Sequence, residues 1–500
     1  MTLVEMLERN AKKFPEKTAI IYHDNKITYK ELDETVNKIS SALMDLGLKE
    51  GDRVGLMLPR IPELVVSFLS VAKAKGIAVP INFELLEEKI RNILVDISPR
   101  CLIVHENLLD LAKRSLMTIS KILIIIVGKR GRSEGISWEE MLKSNSSDNP
   151  SLEIEEEDVF YLNYTTGLTG NSKLAITTHS NVYWNTRAAI DVLRLTSDDV
   201  HLCMFAPFAH PHEIFARPLY LGGTMVMLDK IYPKSIAEAI AHHKVTCMMG
   251  LAPMFENLLE VLEHKTHDLS SLRVPESGGM YTRPELIERF RQKVGVPILS
   301  VFGTTETTGI AIANTPGEAI IPGSAGKPCK SYEVKIVDEY DMELPPNEIG
   351  EMIFKGPGVV QGYYQDPINT QSCFKNGWYY SGDLGRRDEE NNFYFIERKS
   401  GMMKVAGLKV YPLEIELALL EHPDIKEVAI ISVKDTLRGE IPKAVIVTKN
   451  GVDLTEKEVI AFCRDRLPNY MVPRIVELRE ALPKIGSGKI NKKELQMERI

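Results

Sequence analysis

The chain has 500 residues, more than one hydrophobic core usually supports, so two or more domains are expected. Hydrophobic residues make up 44% and charged residues 26%, a composition that excludes a disordered or fibrous protein. The net charge is −8, which argues against a nucleic-acid-binding protein because such proteins normally carry a basic face.

Cysteine usage and hydrophobic runs bear on the compartment. The cysteines at 101, 203, 247, 329, 373 and 463 form no CxxC pair and suit buried thiols better than disulfides or zinc. Residues 1–13 lack the basic and apolar regions of a signal peptide. The longest aliphatic run, 122–127, is too short to cross a bilayer and predicts a buried parallel strand. We therefore expect a cytoplasmic protein with no stable membrane anchor and no nucleic-acid partner.

Strand-like and helical segments alternate from the beginning of the chain. Thr28 and Glu31 form a capping-box pattern, and Gly47 marks the end of the helix that follows. The apolar face of this helix comprises Leu32, Val36, Ile39 and Leu43. Further segments are predicted as strands at 54–58, 77–79 and 159–162 and as a helix at 64–74. This alternation is typical of α/β architecture with parallel sheets.

A charged stretch after the predicted strand 393–396 separates the last hundred residues from the rest. These residues have their own pattern: helices at 414–421 and 457–467, strands at 428–433 and 444–447. They predict a small α+β domain.

The segment 164–173 (YTTGLTGNSK) has the chemistry of a phosphate-binding loop. Its two glycines free the backbone to curl around an anion, Thr165, Thr166 and Thr169 add hydroxyl donors, and Lys173 adds a positive charge. The register does not fit the GxxxxGK[ST] loop. By itself the segment is equally compatible with a Gly/Thr-rich turn and a surface lysine.

Two other segments carry residues suited to a nucleotide. In VFGTTE, Phe302 can stack on a base, Thr305 can hold a phosphate and Glu306 can hold magnesium. In WYYSGDLG, Asp383 stands on a turn, where an acid can accept both ribose hydroxyls. Ordinary turn chemistry is the alternative for each.

The segment LPKIGSGKIN places Lys489 on a Gly-Ser-Gly loop, where we expect an exposed and mobile side chain. Such a lysine suits the neutralisation of charge that develops during a reaction. A solvated surface lysine is the alternative.

These segments occur together in one order and spacing, along with Gly350-Glu351, Gly356-Pro357, Gly362-Tyr363, Tyr411-Pro412 and Glu414-Ile415-Glu416. In this, nearly the whole chain resembles the adenylate-forming superfamily of acyl-CoA synthetases, luciferases and carrier-loading adenylation domains. The resemblance implies an ATP-dependent acid–CoA ligase that uses Mg²⁺: a carboxylate and ATP give acyl-AMP and pyrophosphate, and coenzyme A then displaces AMP.

The resemblance also implies the fold. It is an α/β fold whose large N-terminal domain, 1–397, has α/β subdomains with parallel sheets and a small barrel-like part. A hinge at 398–401, centred on Ser400, connects this domain to a small mobile α+β C-terminal domain, 402–500. The small domain would rotate between the two steps, presenting Lys489 in the first and the face from Lys404 to Gly407 in the second.

The resemblance assigns site residues. Those for ATP or AMP are Thr165, Thr166, Gly167, Leu168, Thr169, Gly170, Lys173, Gly279, Phe302, Gly303, Thr304, Thr305, Asp383, Arg398 and Lys489. Those for Mg²⁺ are Glu306 and Thr165, and those for coenzyme A are Lys404, Ala406 and Gly407. Those for the acyl pocket are His210, Gly278, Met280 and Tyr281. The catalytic set is Lys489, Glu306, Thr305 and His210. A metal held by His210 and His212 is disfavoured because no third ligand has matching spacing.

The chain departs from the family pattern at several positions. Leu168, Ser172 and Leu174 replace a usual threonine, proline and glycine in the phosphate loop. Glu397 stands where glycine is usual, and Ser400 where the hinge more often has Asp or Lys. The segment 210–224 is shorter than usual, and Met280-Tyr281 would narrow the acyl pocket.

Several alternatives stay open. The default substrate is a fatty acid, with aromatic, alicyclic and dicarboxylic acids as alternatives. Arg217 would either meet a second substrate carboxylate or be a surface or ion-paired arginine. The protein would otherwise be an adenylation enzyme that loads a carrier protein, a luciferase-like oxygenase or a non-catalytic nucleotide-binding relative. The oligomeric state, a homodimer included, is not readable from the sequence.

Overall fold

The computed structural model describes residues 1–117, 119, 122–130, 134–144, 146–165, 173–449, 452, 454–484 and 489–497. The chain forms two compact units: Met1–Val334 with Phe354–Tyr379, and Lys335–Ile353 with Tyr380–Ile500.

The elements of the first part of the chain alternate as the sequence predicts. In chain order they are α1 (Leu3–Lys13), β1 (Thr18–Tyr22), β2 (Asn25–Thr28), α2 (Tyr29–Asp45), β3 (Arg53–Met57), α3 (Pro62–Lys73), β4 (Ile77–Pro80), α4 (Glu87–Ile97), β5 (Cys101–His105), α5 (Leu109–Ser115), β6 (Leu123–Val127), β7 (Ile136–Ser137), α6 (Trp138–Ser144), β8 (Val159–Thr165) and β9 (Lys173–Thr178). A 3-10 helix, Glu106–Leu108, precedes α5.

The middle of the chain continues the pattern. Its elements are α7 (His179–Leu193), β10 (Val200–Cys203), α8 (Ala216–Leu221), β11 (Thr224–Met227), α9 (Pro233–His243), β12 (Cys247–Gly250), α10 (Ala252–His264), β13 (Val274–Ser277), α11 (Pro284–Val294), β14 (Leu299–Thr304), β15 (Gly309–Ala313) and β16 (Lys327–Pro328). A 3-10 helix, Pro211–Ile214, precedes α8.

The remaining elements are β17 (Glu333–Val337), β18 (Gly350–Lys355), α12 (Pro367–Cys373), β19 (Phe374–Lys375), β20 (Trp378–Arg387), β21 (Phe393–Arg398), β22 (Met403–Val405), β23 (Leu408–Val410), α13 (Pro412–Leu420), β24 (Ile425–Asp435), β25 (Gly439–Thr448), α14 (Glu456–Arg464), β26 (Ile475–Leu478) and α15 (Lys492–Met497).

Two large sheets form the framework of the first unit. One has the order β7-β6-β5-β3-β4-β8-β9, with all pairs parallel except β8–β9. The other has the order β16-β15-β14-β13-β12-β10-β11-β1-β2 and is parallel from β14 to β1. Helices lie between most of the consecutive strands that pair in parallel, as in β3-α3-β4 and β12-α10-β13. The prediction of parallel α/β architecture is therefore confirmed.

Helix α3 lies in the core of this unit. Its residues from Leu64 to Lys73 are buried all round, and they pack in one apolar cluster with residues of α1, α2 and β3. Lys73 is buried as well, and its ammonium pairs with Glu8 at 2.7 Å and with Asp33 at 3.5 Å. A helix that is apolar on all faces must lie inside the protein, so α3 ties its neighbours into one core.

Arg60, in the loop after β3, connects the two large sheets. Its guanidinium donates to the carbonyl oxygens of Phe205 and Leu228, at 2.9 Å each, and of Asp229, at 3.4 Å. These residues follow β10 and β11. The ends of strands from both sheets are thus held together by bonds to backbone carbonyls.

The second unit contains a small mixed sheet of order β23-β22-β25-β24, with β26 parallel to β25. Helices α13 and α14 pack beside it and share a core with the strands. The predicted α+β character of the C-terminal region is confirmed. A further sheet has the order β17-β18-β20-β19, with β21 paired to β20.

All six cysteines are described and are free thiols; five are buried and Cys373 is half-buried. Within the described residues, no helix is both long and apolar enough to cross a membrane.

Candidate active site

The carboxyl ends of β12, β13 and β14 meet at one edge of the nine-stranded sheet, where α/β proteins place their ligands. Gly278 and Gly279 follow β13 at this edge. A Cβ on Gly278 would lie 2.7 Å from the methyl of Met249, and Gly279 has a φ of +74°. Met280 and Tyr281, from the predicted acyl pocket, are half-buried beside them. Backbone conformation therefore favours glycine at 279, whereas a side chain at 278 would have to displace the Met249 methyl.

The Phe-Gly-Thr-Thr-Glu segment spans the end of β14 and the turn into β15. The Phe302 ring stacks on Phe354 with centroids 5.8 Å apart and an interplanar angle of 12°. A Cβ on Gly303 would lie 1.9 Å from the carbonyl oxygen of Gly309, so no larger residue fits there. Phe302 is half-buried, which is compatible with the predicted stacking on adenine.

Hydrogen bonds fix the turn that follows. The Thr304 N–H donates to the Thr307 hydroxyl at 2.8 Å, and the Thr307 N–H donates to the Thr304 hydroxyl at 3.2 Å. Thr305 is half-buried within this turn. The Thr305 hydroxyl, predicted to bind phosphate, is therefore carried by a backbone that hydrogen bonds of Thr304 and Thr307 fix on both sides.

Glu306 is a buried carboxylate, and its side chain accepts a hydrogen bond of 2.7 Å from the Tyr363 hydroxyl. Burial and the neighbouring Glu306 raise the pKa of Tyr363, so this hydroxyl is a donor. Carboxylate and hydroxyl oxygens are the hard ligands that Mg²⁺ prefers, and the donor chemistry of Glu306 and Thr165 fits that ion.

The two ends of the predicted phosphate loop are described. Thr165 ends β8 and Lys173 begins β9, and the two are directly paired across the antiparallel ladder. The Lys173 ammonium lies 4.7 Å from the Tyr363 ring centroid and 3.4 Å from the Cys373 sulfur. Leu174, which replaces the glycine usual in the family, is buried in the core. The other predicted loop residues, Thr166, Gly167, Leu168, Thr169, Gly170 and the atypical Ser172, lie outside the described residues.

His210 immediately precedes the 3-10 helix Pro211–Ile214. Its ring lies 6.1 Å from that of Phe205 and 6.4 Å from that of His212. His212 is buried, and its Nδ1 is hydrogen-bonded to the Tyr161 hydroxyl at 2.8 Å. Burial, reinforced by Arg217, lowers the pKa of His212 to about 3. No group of three or more metal-ligating side chains occurs in the part of the chain that the structure describes.

Arg217, Glu213 and Glu276 form a buried ion triad. Arg217 Nη1 contacts both carboxylate oxygens of Glu276 at 2.9 Å, and Nη2 contacts Glu213 at 2.8 Å. The three side chains are at most 6% exposed. Burial disfavours the arginine charge, but the two carboxylates outweigh burial and raise the pKa of Arg217. Arg217 is thus the ion-paired arginine of the two alternatives, and it is not available for a substrate carboxylate.

In the second unit, Asp383 and Arg398 are directly opposed on β20 and β21. Arg398 Nε lies 2.8 Å from Asp383 Oδ1, and Asp383 is only 1% exposed. Ser381 supports both residues: its hydroxyl accepts from the Asp383 N–H at 3.0 Å, and its carbonyl accepts from Arg398 at 3.3 Å. The structure therefore brings together the two residues predicted to hold ribose.

Lys489 shares the surroundings of this pair. Burial and the Arg398 charge lower the pKa of Lys489, while Asp383 opposes them. The side chain is half-buried, so the expectation of an exposed lysine is wrong. Packing of this segment against its own unit is a tertiary effect that the Gly-Ser-Gly pattern does not reveal. Residues 485–488 lie outside the described residues.

The predicted hinge follows directly on β21. Ser400 is exposed in a turn in which Gly401 N–H donates to the Arg398 carbonyl at 2.8 Å. Glu397, which replaces the glycine usual in the family, is buried. Its carboxylate accepts a hydrogen bond from the Arg398 N–H at 2.8 Å. The glutamate therefore stabilises the backbone just before the predicted hinge.

The predicted coenzyme A segment is a two-residue hairpin turn between β22 and β23. Ala406 and Gly407 have φ values of +50° and +86°, which a type I′ turn requires at both central positions. The Lys404 N–H donates to Glu440 at 2.7 Å. A crevice of about 120 Å³ adjoins Ala406 and includes Arg438 and Arg474 in its lining.

Sequence reasoning missed Glu213, Glu276 and the role of Tyr363. Glu276, inside the short buried strand β13, could have indicated the ion pairs with Arg217, because a buried charge requires a partner.

Comparison with known proteins identifies the family of this chain. Residues 7–364 match the AMP-binding enzyme family, and residues 414–489 match the AMP-binding enzyme C-terminal domain. The chain belongs to the AMP-binding enzyme family.

Relatives place the chain in the CoA-ligase branch of the adenylate-forming superfamily. It is 32% identical to a long-chain-fatty-acid–CoA ligase of Bacillus subtilis (strain 168), covering 99% of this chain and 94% of that protein. It is 30% identical to a feruloyl-CoA synthase of an Amycolatopsis species, covering 98% and 97%. The crystal structure of the anthranilate CoA ligase AuaEII with anthranoyl-AMP superposes with a TM-score of 0.92 at 28% identity, covering 100% and 97%.

The protein is therefore an AMP-forming acid–thiol ligase, which uses ATP with Mg²⁺ and coenzyme A to activate a carboxylic acid. The identity of that acid does not follow, because the similar proteins act on different acids at similar identity.

Proposed function

We propose that this AMP-binding enzyme converts a fatty acid to its CoA thioester. The observation that supports this acid class most directly is the pair of methionines next to Gly278 in the predicted acyl pocket. Half-buried Met249 and Met280 flank Gly278 at the end of β13, and methionines fit flexible apolar chains well. The similarity to long-chain-fatty-acid–CoA ligases is in agreement.

The buried ion triad also favours an acid with one carboxylate. Arg217 is the candidate arginine for a second substrate carboxylate, but Glu213 and Glu276 already pair with its guanidinium. Releasing it would leave two buried carboxylates without a partner, at a cost of several kcal/mol. Arg217 therefore cannot pair with the second carboxylate of a dicarboxylic acid.

An aromatic acid is the second candidate. The Phe205 ring lies 6.1 Å from that of His210, the residue predicted to lie beside the acyl carboxylate, and Phe208, two residues before His210, has its ring 5.5 Å from that of Phe83. Aromatic acids could stack on such a surface. The similarity to the feruloyl-CoA synthase and to the anthranilate CoA ligase accords with this candidate.

In the first step we infer that the acid carboxylate attacks the α-phosphorus of ATP and pyrophosphate leaves. Phe302 would stack on adenine, Asp383 and Arg398 would hold ribose, and Thr305 would contact the α-phosphate. Lys489 would bridge the carboxylate and the α-phosphate. Mg²⁺ at Glu306 and Thr165 would neutralise phosphate charge. Positioning and charge stabilisation account for catalysis of this type.

In the second step the coenzyme A sulfur attacks the acyl carbon, AMP leaves and a thioester forms. We infer that residues 402–500 present Lys489 in the first step and Lys404, Ala406 and Gly407 in the second, with Ser400 in the hinge at 398–401. Arg438 and Arg474 line the crevice beside Ala406, and guanidinium groups suit the phosphates of coenzyme A.

The test is AMP release from ATP and Mg²⁺ with a panel of acids, with and without coenzyme A. The panel contains palmitate, octanoate, ferulate, anthranilate and malonate. Turnover highest with palmitate or octanoate, and dependent on coenzyme A, is the expected result. Preference for ferulate or anthranilate would replace the fatty-acid assignment by the aromatic one. ATP binding without turnover of any acid would favour a carrier-protein acceptor or a non-catalytic relative.

A further inference from the structure

Tyr363 stands between two residues of the proposed triphosphate site. Its hydroxyl donates to Glu306 Oε1 at 2.7 Å, and its ring centroid lies 4.7 Å from the Lys173 ammonium. One buried aromatic side chain thus contacts both the carboxylate assigned to Mg²⁺ and the lysine assigned to phosphate.

The backbone holds Tyr363 from both sides. On one side, Tyr364 N–H donates to the Leu174 carbonyl at 2.7 Å, next to Lys173 on β9. On the other, Val360 N–H donates to the Glu306 carbonyl at 2.9 Å. The segment 360–364 therefore connects the strand that carries the lysine to the turn that carries the glutamate. A shift of either element would displace the ring.

The two contacts act on different groups. The hydroxyl fixes one oxygen of the Glu306 carboxylate, which sets the orientation of the group. The ring face attracts the Lys173 ammonium through a cation–π interaction and restricts a side chain that otherwise has many rotamers. Sites for highly charged ligands gain from charges that are already oriented before binding.

We propose that Tyr363 is a positioning residue, which holds the Lys173 ammonium and the Glu306 carboxylate in one fixed arrangement that receives the magnesium–triphosphate group. This rests on the roles proposed above for Glu306 and Lys173. Tyr363 itself does not contact the reacting atoms.

The two contacts can be separated by substitution. Tyr363→Phe keeps the ring and removes the hydroxyl, whereas Tyr363→Leu removes both. Tyr364→Phe is the matched control, because it removes a hydroxyl from the adjacent tyrosine. The Tyr364 hydroxyl accepts a hydrogen bond from the Gln365 side chain at 3.2 Å. Thermal unfolding of each variant verifies that it is folded.

The measurement is ATP affinity by calorimetry, without any acid, in excess Mg²⁺ and again in EDTA. In Tyr363→Phe the gain in ATP affinity that Mg²⁺ produces should be smaller by roughly ten- to a hundredfold, the scale of one hydrogen bond to a charged group, and the affinity in EDTA should be unchanged. Tyr363→Leu should also bind more weakly in EDTA. Tyr364→Phe should match the wild type.

The proposal is overturned if Tyr363→Phe matches Tyr364→Phe, or if it loses equal affinity in Mg²⁺ and in EDTA. Glu306→Gln distinguishes the two levels of inference. If Glu306→Gln abolishes the Mg²⁺ effect and Tyr363→Phe does not reduce it, only the positioning role fails. If Glu306→Gln keeps the whole Mg²⁺ effect, the metal assignment itself fails, and the positioning role with it.

Discussion

Removing the arginine of the buried triad should destabilise the first unit severely. Arg217→Met leaves Glu213 and Glu276 facing each other, with side chains 3% and 1% exposed. Breaking a buried ion pair by removing one partner costs about 3–5 kcal/mol, because an unpaired charge stays behind. At roughly 2 °C per kcal/mol for a large chain, the melting temperature should fall by about 6–10 °C.

The assay is thermal unfolding, followed by fluorescence, of three proteins besides the wild type. Arg194→Met is the matched control: Arg194 also pairs with a glutamate at 2.8 Å, but both side chains are more than half exposed. Its melting temperature should barely change, since exposed pairs contribute little. The charge-free variant Glu213→Leu/Arg217→Met/Glu276→Leu should recover most of the loss, because apolar residues of similar size often replace buried ions without cost.

Two outcomes would refute this reasoning. If Arg217→Met melts no lower than Arg194→Met, the triad does not stabilise the fold. If the charge-free variant melts as low as Arg217→Met, the loss comes from packing rather than from unpaired charge.

Three further predictions concern the two half-reactions and pH. Lys489→Ala should slow acyl-AMP formation about a hundredfold, measured as acid-dependent ATP–pyrophosphate exchange. Thioester formation from supplied acyl-AMP should be unchanged. An equal loss of both activities would contradict the proposed rotation of the small domain. Gly407→Val, which strains a φ of +86°, should slow thioester formation and spare the exchange reaction, and the converse pattern would argue against a coenzyme A role. Burial lowers the pKa values of His179, His201 and His212 from 6.5 to about 3. Below pH 6.5 the unfolded chain therefore binds more protons than the folded one, and the folded state loses stability as the pH falls. The loss at pH 5 is about 2 kcal/mol per histidine, 1.5 pH units at about 1.4 kcal/mol each, and equal melting temperatures at pH 7 and pH 5 would exclude it.

Local patterns predicted the elements well. The capping box of Thr28 and Glu31 is present at the start of α2, whose predicted apolar face is buried. The predicted strands at 54–58, 77–79 and 159–162 correspond to β3, β4 and β8 with ends shifted by one to three residues. Capping and periodicity depend on neighbours in the sequence, which explains why a single chain is sufficient to predict them.

Contacts between distant residues were not predictable in the same way. Glu276 is 59 residues from Arg217, and Tyr363 is 57 residues from Glu306, so no local periodicity connects either pair. The pKa of the half-buried Lys489 is likewise lowered by burial and by Arg398 and raised by Asp383, residues about a hundred positions earlier. The resemblance named most site residues, but it did not say which side chains support them.

The Arg60 contacts bear on how such an enzyme can change its substrate. All three of its acceptors are main-chain oxygens, at Phe205, Leu228 and Asp229, so the junction is indifferent to which side chains occur there. The Phe205 side chain is the one that lies against His210. Mutation at 205 would therefore change the surroundings of His210, the predicted acyl-pocket residue, and the packing of Phe205 against the core, while the main-chain bonds that join the two sheets stay in place.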